Sequence, residues 1–373
     1  MITKNCNLNC KYCYEKNIER EDKGIDFSIA KDILNKYLNA DDNYEFVIID
    51  LFGGEPFLNF PLIKKIHEYL LSRKWKKNFN FFIQTNGTLL TNEIKEWLLK
   101  NKNNVVLGLS FDGSREAHNL SRDNSYDLVM KNIPFFKSNY PRQFIKCTIC
   151  AETIPYVSKS LIEMENLDLL FTANIGFEDI WGDEKNKKKL LNVYEDQLSI
   201  LVDFYTSRND LFLPGRILTP AIECYYFDKY NEKFEVPDYG IKYCGSGHGM
   251  IFIDTDGKEY PCHRYATSIT GRIKIPKIPN LLMENWKPDK CSVCKLIDIC
   301  PTCVGYNFEI NGDPKIRTTF HCESFKLEVL ATAKIHANRI EKMLKNESIL
   351  NIEQKGHIVR RLDAILEFAE NGI

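Results

Sequence analysis

Cys6-Asn7-Leu8-Asn9-Cys10-Lys11-Tyr12-Cys13 sets three thiols at C-x3-C-x2-C spacing near the start of the chain. Three soft thiolates this close call for a soft metal centre. A 4Fe–4S cluster takes one Cys per iron, and the next Cys is Cys147, so one iron is left without a nearby protein ligand. That open iron is where the chemistry is expected. The alternative is a structural zinc site with a distant fourth ligand, although zinc usually announces itself as C-x2-C pairs.

Outward from this loop the chain alternates apolar strands with amphipathic helices. A helix over 26–38 precedes a buried strand over 45–52 that ends in Gly53-Gly54-Glu55-Pro56. Next come a helix over 60–74, a strand over 79–84 ending in Gln84-Thr85-Asn86-Gly87, and a helix over 91–100. A strand over 105–111 then runs into Asp112-Gly113, followed by a helix over 124–137, a strand over 144–150, a helix over 155–165 and a strand over 169–176. Parallel strands need crossovers, so the order predicts an α/β fold with helices outside the sheet. Counting a first strand before the cysteine loop, six units fit a partial (β/α)6 TIM-like barrel. Functional groups of such barrels sit at the carboxyl ends of the strands, where this chain carries its polar and Gly motifs.

The triplet, with Tyr12 before its last Cys, resembles the signature of the radical S-adenosylmethionine (radical SAM) superfamily. In that family SAM chelates the open iron and is cleaved to a radical that abstracts hydrogen from an unactivated C–H bond. The resemblance implies a SAM-binding element at Gly53, Gly54, Glu55 and Pro56, with Glu55 on the SAM ammonium and the glycines admitting close backbone approach. It implies Ser110 and Asp112 near the ribose, Arg122 on the SAM carboxylate through its planar fork, and Tyr12, Gln84 and Asn86 in the same set. Asp112-Gly113…His118-Asn119…Arg122 matches a recurrent family pattern.

Composition limits the alternatives. The chain has 373 residues, room for one large domain and a smaller one. Its net charge of -1 gives no electrostatic case for nucleic acid or membrane. No stretch has the 18 or more apolar residues of a membrane helix. With no export signal at Met1-Ile2-Thr3-Lys4, the expected compartment is the cytoplasm, where clustered Cys points to metal before disulfide.

A second cysteine field runs from Cys244 through Cys262, Cys291, Cys294, Cys300 and Cys303 to Cys322. Asp254-Thr255-Asp256-Gly257 within it predicts a hairpin turn. So small and loop-rich a segment needs metal for part of its folding free energy. Zinc is the rival, but seven thiols suit two clusters with one ligand missing. The order resembles the SPASM extension of radical SAM enzymes that modify peptides and proteins. It implies two auxiliary 4Fe–4S clusters, three clusters in all: an inner one on Cys244, Cys262 and Cys303, and an outer one on Cys291, Cys294, Cys300 and Cys322. Met250 stands where some relatives have another Cys, so the inner cluster has an open iron unless Cys224 or His248 fills it. Cys147, Cys150 and Cys224 are expected as packed thiols.

The expected domains are a barrel over 1–238, a SPASM domain over 239–325 and C-terminal helices over 326–373, the last at about 324–345 and 350–370. Segment 183–205 is expected to be helical, 211–230 to line the substrate cavity as helix and loop, and Pro237–Gly240 to form the boundary turn. Since the barrel starts at residue 1, peptide recognition is expected from the barrel, the SPASM region, the C-terminal helices or a partner protein. The resemblance implies a peptide or protein substrate, an external electron donor such as flavodoxin or ferredoxin, and a maturase of ribosomally made peptides that installs a thioether or carbon–carbon crosslink. A second reading is an anaerobic sulfatase maturase forming formylglycine; those enzymes have an Asp as base where this chain has His263, a residue competent for that role near neutral pH. A third is a non-catalytic zinc or iron–sulfur scaffold.

Overall fold

The computed structural model describes residues 1–345 except 17, 21–23, 209, 219–244, 248, 276–288, 295 and 298. The chain divides into two compact units that interleave along the sequence. The first is Met1–Cys147 with Met164–Phe171 and Gly247–Ile275; the second is Thr148–Glu163, Thr172–Ser246 and Pro276–Ile373.

In the first unit α1 (Phe27–Leu38) leads to β1 (Phe46–Leu51), α2 (Phe60–Leu71), β2 (Asn78–Thr85), α3 (Asn92–Lys100) and β3 (Val105–Leu109). The three strands form one parallel sheet in the order β1-β2-β3, with Phe46 opposite Asn78 and Phe81 opposite Val105. Phe81, Ile83, Val105, Leu107 and Leu109 are buried, as are Ile63, Ile66 and Leu70 of α2 and Ile94 and Leu98 of α3. Burying those apolar faces is what holds the layers together. Helix α3 starts where the side chain of Thr91 accepts the Ile94 N–H, satisfying one of the free donors of a helix start.

Two expectations change here. The strand expected before the cysteine loop is reduced to one parallel bridge, Thr3 with Gly53. β1 is not buried: it is the outermost strand of its sheet, and Phe46 and Ile48 are 47% and 65% exposed.

Beyond β3 comes a helix the sequence reading did not include, α4 (Arg115–Ser121), and the single helix expected over 124–137 is two short ones, α5 (Tyr126–Met130) and α6 (Ile133–Asn139). Asp123 and Asn124 take positive φ of 54° and 56° between α4 and α5, which a helix cannot accommodate. Pro134 opens α6. Strands β4 (Ile145–Ile149), β5 (Phe171–Ile175) and β6 (Gly215–Arg216) form a second sheet in that order, with α7 (Val157–Asn166) between β4 and β5. β6 lies where helix and loop were expected, and the rest of 211–230 from 219 onward lies outside the described residues.

The second unit is built on α8 (Glu184–Ser207) and a C-terminal helix over Cys322–Lys345. Tyr194, Leu198, Leu201 and Tyr205 of α8 are buried, as are Phe325, Val329, Ala333 and Ile335. Arg339 donates to the carbonyls of Tyr205, Arg208 and Leu211, satisfying acceptors that the end of α8 leaves open. The hairpin expected around Asp254–Gly257 is present as β7 (Phe252–Ile253) and β8 (Glu259–Tyr260), antiparallel. The remaining helices are α9 (Thr267–Thr270), α10 (Asp289–Ser292), α11 (Val304–Asn311) and, for the C-terminal helix, α12 (Cys322–Lys345). The boundary turn at 237–240 and the helix at 350–370 lie outside the described residues. Among those described, no helix is long and apolar enough to cross a membrane.

Candidate functional site

The cysteine loop is tied to the carboxyl ends of three consecutive strands. After β1, Gly54 N–H donates to Thr3 O and Glu55 N–H to Asn5 O. This approach requires glycine: a Cβ at Gly54 would collide with the Asn5 carbonyl and stand 2.9 Å from Cys6 Cβ. After β2, Asn86 Nδ2 donates to Asn7 Oδ1 at 3.0 Å and to Cys6 Sγ at 3.9 Å. After β3, Asp112 accepts from Tyr12 Oη at 3.0 Å. Arg20 closes the loop from the other direction, donating to the carbonyls of Cys6 and Leu8, both at 3.0 Å.

Cys6, Cys10 and Cys13 are half-buried, and burial pushes the Cys6 thiol up to about 11 and Cys13 up to about 12, with Cys10 raised as well. Their charges also repel: Cys10 raises both Cys6 and Cys13. Three thiols within electrostatic reach, desolvated and mutually repulsive, form a donor set that ionises readily only around a cationic centre. Among the described residues no three Cys, His, Asp or Glu side chains close on a point sized for a single ion.

Glu55 and Arg122 both have internal partners. Fully buried Glu55 accepts from Thr85 Oγ1 at 2.7 Å, Asn86 N–H at 2.8 Å and Phe57 N–H at 3.2 Å. Burial pushes its carboxyl up to about 7, with those donors pulling the other way. Arg122 grips Asp112 through Nε at 2.8 Å and a terminal nitrogen at 3.1 Å, with both side chains buried. Burial works against the Arg122 charge, but Asp112, Tyr12 and Cys10 outweigh it and raise its pKa. Ser121 Oγ adds a further donor to Asp112 at 2.7 Å. His118 holds the backbone of the same residue: its Nδ1 accepts the Asp112 N–H at 3.2 Å, so Nε2 carries the proton toward Ser125 Oγ at 3.0 Å. In this structure Glu55 and Arg122 make bonds that fix the strand-end loops.

Gln84 and Ser110 do meet, through a 3.0 Å bond from Gln84 Nε2. The other end of that amide, Oε1, is buried with no hydrogen-bond partner among the described residues. Gly108 makes room for it, since a Cβ there would collide with Oε1 and lie 2.6 Å from Phe82. A buried acceptor left open on the strand ends that carry the cysteine loop fits a ligand bringing hydroxyl or amine donors.

His263 lies at the start of a 3-10 turn directly after Cys262. Its ring stacks on Tyr14 and on Phe52, each at 5.1 Å between centroids, and the Arg264 guanidinium lies 4.3 Å from the centre of the Tyr14 ring. Burial first, then Arg264 and Lys146, lower its pKa to about 3. The structure builds His263 as a neutral imidazole into an aromatic wall.

Of the inner trio, Cys262 belongs to the first unit, Cys303 to the second, and Cys244 lies outside the described residues, as do Cys224 and His248. The outer four lie in one unit, and the structure brings them within electrostatic reach. Cys300 is raised to about 11 by burial, Arg317 opposing and Cys322, Cys294 and Cys291 adding to the shift. Asn307, fully buried on α11, pins the Cys300–Cys303 loop: its Nδ2 donates to Thr302 Oγ1 and Pro314 O, and its Oδ1 accepts from Thr318 N–H. Cys147 and Cys150 are buried, as expected of packed thiols. Sequence reasoning missed Arg20, Arg264 and Arg317, since isolated arginines outside any motif carry no local signal.

Residues 1–157 match the Radical SAM superfamily. The cysteine-type anaerobic sulfatase-maturating enzyme of Clostridium perfringens (strain 13 / Type A) is 25% identical over 351 residues, 86% of this chain and 91% of that protein. The solved structure of native anSMEcpe with bound AdoMet and Kp18Cys peptide aligns with a TM-score of 0.67 at 19% identity, over 92% of this chain and 96% of that one. Streptococcus suis SuiB bound to precursor peptide SuiA aligns with a TM-score of 0.56 at 20% identity, over 85% of this chain and 74% of that one.

Proposed function

The chain belongs to the radical SAM superfamily, and from that premise we propose that it is a maturase of ribosomally made peptides that removes hydrogen from a side-chain or α carbon and closes a thioether or carbon–carbon crosslink. The observation that carries the reading is the trio Cys6, Cys10 and Cys13, held by the loops after β1, β2 and β3 and one ligand short of a complete 4Fe–4S set. When bound, the cluster and SAM supply the one-electron chemistry that activates a C–H bond. The chain's own residues position and enclose. Glu55 locks the Gly53–Pro56 loop to Thr85 and Asn86, Asp112 and Arg122 lock the loop after β3 to Tyr12, and Gln84 Oε1 offers the open acceptor for SAM.

Two auxiliary clusters complete the proposal, the inner on Cys244, Cys262 and Cys303 and the outer on Cys291, Cys294, Cys300 and Cys322, with flavodoxin or ferredoxin as electron donor. The precursor peptide bound to SuiB supports a peptide substrate. Formylglycine formation is the second reading, favoured by the 86% of this chain that aligns with the sulfatase-maturating relative. The test is anaerobic reconstitution with iron and sulfide, then SAM, reductant and candidate peptides encoded beside the gene. About twelve irons, 5′-deoxyadenosine and a peptide lighter by two hydrogens that carries no aldehyde support the crosslinking maturase. An aldehyde on a sulfatase peptide, trapped with a hydrazine reagent, replaces it with formylglycine formation, which itself removes two hydrogens from Ser or exchanges the Cys thiol for a carbonyl oxygen.

A further inference from the structure

Arg317 is buried beside the outer thiol set, and one of its terminal nitrogens points at Cys300. That nitrogen donates to Cys300 Sγ at 3.2 Å, to Cys300 O at 3.0 Å and to Pro301 O at 3.3 Å. Its charge also reaches Cys291, where it opposes the effect of burial and of Cys322 and Cys294, with Lys290 acting in the same sense. A guanidinium is always charged and its planar fork is fixed by the acceptors it holds. The loop carrying Cys300 is itself pinned to the 314–318 segment through Asn307, so the nitrogen and the sulfur are constrained from both sides.

We propose that Arg317 tunes the reduction potential of an iron–sulfur cluster on Cys291, Cys294, Cys300 and Cys322, through its N–H bond to the Cys300 sulfur and its buried positive charge. The inference rests on reading those four thiols as cluster ligands. Adding an electron makes a cluster more negative, and a cation with a donor on a ligand sulfur favours that state, so Arg317 raises the potential. It is a positioning residue: it contacts a ligand and no substrate.

The test uses full-length protein carrying Cys6→Ala, Cys10→Ala and Cys13→Ala, reconstituted anaerobically, so that only auxiliary clusters contribute. Iron content is measured first, and the outer cluster's EPR signal is identified as the one lost on Cys291→Ala. Four irons or fewer, with no signal lost on Cys291→Ala, defeats the ligand reading itself. With that signal assigned, redox titration of Arg317→Met should show its one-electron equilibrium moved at least tenfold against reduction, about 59 mV, and Arg317→Lys should move it the same way by less. Wild-type potential in Arg317→Met with iron fully retained overturns the tuning role. Loss of the outer iron in Arg317→Met also overturns it, leaving Arg317 as a brace for the loop.

Discussion

Replacing Asp112 with Asn strands the Arg122 guanidinium in a buried site. The pair is bidentate, and its side chains are 1% and 6% exposed, so solvent cannot take over the lost charge. Breaking a buried pair from one side typically costs about 3–5 kcal/mol, because the surviving charge is uncompensated. The Tyr12 and Ser121 hydroxyls also bond Asp112 and can still donate to the Asn oxygen, so Asp112→Asn should fall toward the lower end, about 3 kcal/mol. Arg122→Met leaves the carboxylate without its cationic partner and should cost about as much. Combining the two removes both charges and should cost less than the sum by about 2 kcal/mol or more. The assay is anaerobic urea unfolding of reconstituted protein, followed by fluorescence, with iron retention checked at each step. Single-variant losses that add to within about 0.5 kcal/mol would mean that the charges do not interact as the geometry requires.

Glu328 on α12 is buried, and its carboxyl accepts the Tyr194 hydroxyl at 2.9 Å; burial pushes it up to about 8. Because the folded pKa is raised, stability is highest below the unfolded value of about 4.5 and is lost as pH rises through about 8, up to roughly 5 kcal/mol in all. Glu328→Gln keeps the acceptor and should flatten the denaturation-midpoint profile between pH 5 and 8; parallel wild-type and variant profiles would sink this. Gly54→Ala should push Cys6 off the loop after β1 and cost about four irons together with SAM cleavage, whereas full iron and normal cleavage would show that the close approach is dispensable. His263→Phe preserves the ring between Tyr14 and Phe52 and should leave peptide modification within a few-fold of wild type, as measured by product mass spectrometry. A loss of about 100-fold or more, the scale of a missing general base, would restore His263 to the chemistry.

The α/β alternation was legible because apolar strands and amphipathic helices differ in period, and helices such as Phe27–Leu38 and Glu184–Ser207 fall within a residue or two of expectation. The break at Asp123 and Asn124 was hidden because left-handed backbone there is decided by tertiary bonds: Asn124 N–H donates to Asn119 O, and Tyr126 N–H to Asn119 Oδ1. The exposure of Ile48 was equally invisible, since an apolar strand reads the same at the edge of a sheet as at its centre. Motif spacing picked out the thiols and the strand-end loops. It was silent on pairing, and that Asp112 and Arg122 hold each other emerges only from the structure. Neither does spacing reveal an arginine such as Arg317, whose significance arises only once the chain brings it to Cys300.

The most direct test is SAM cleavage by anaerobically reconstituted protein with dithionite, quantified as 5′-deoxyadenosine, for wild type beside Cys6→Ala, Cys10→Ala and Cys13→Ala combined. Wild type should form it, and the triple variant should form none while retaining the auxiliary iron. Cleavage that survives in the triple variant, or wild-type protein that emerges filled with zinc and inert toward SAM, would contradict the assignment of the first three thiols.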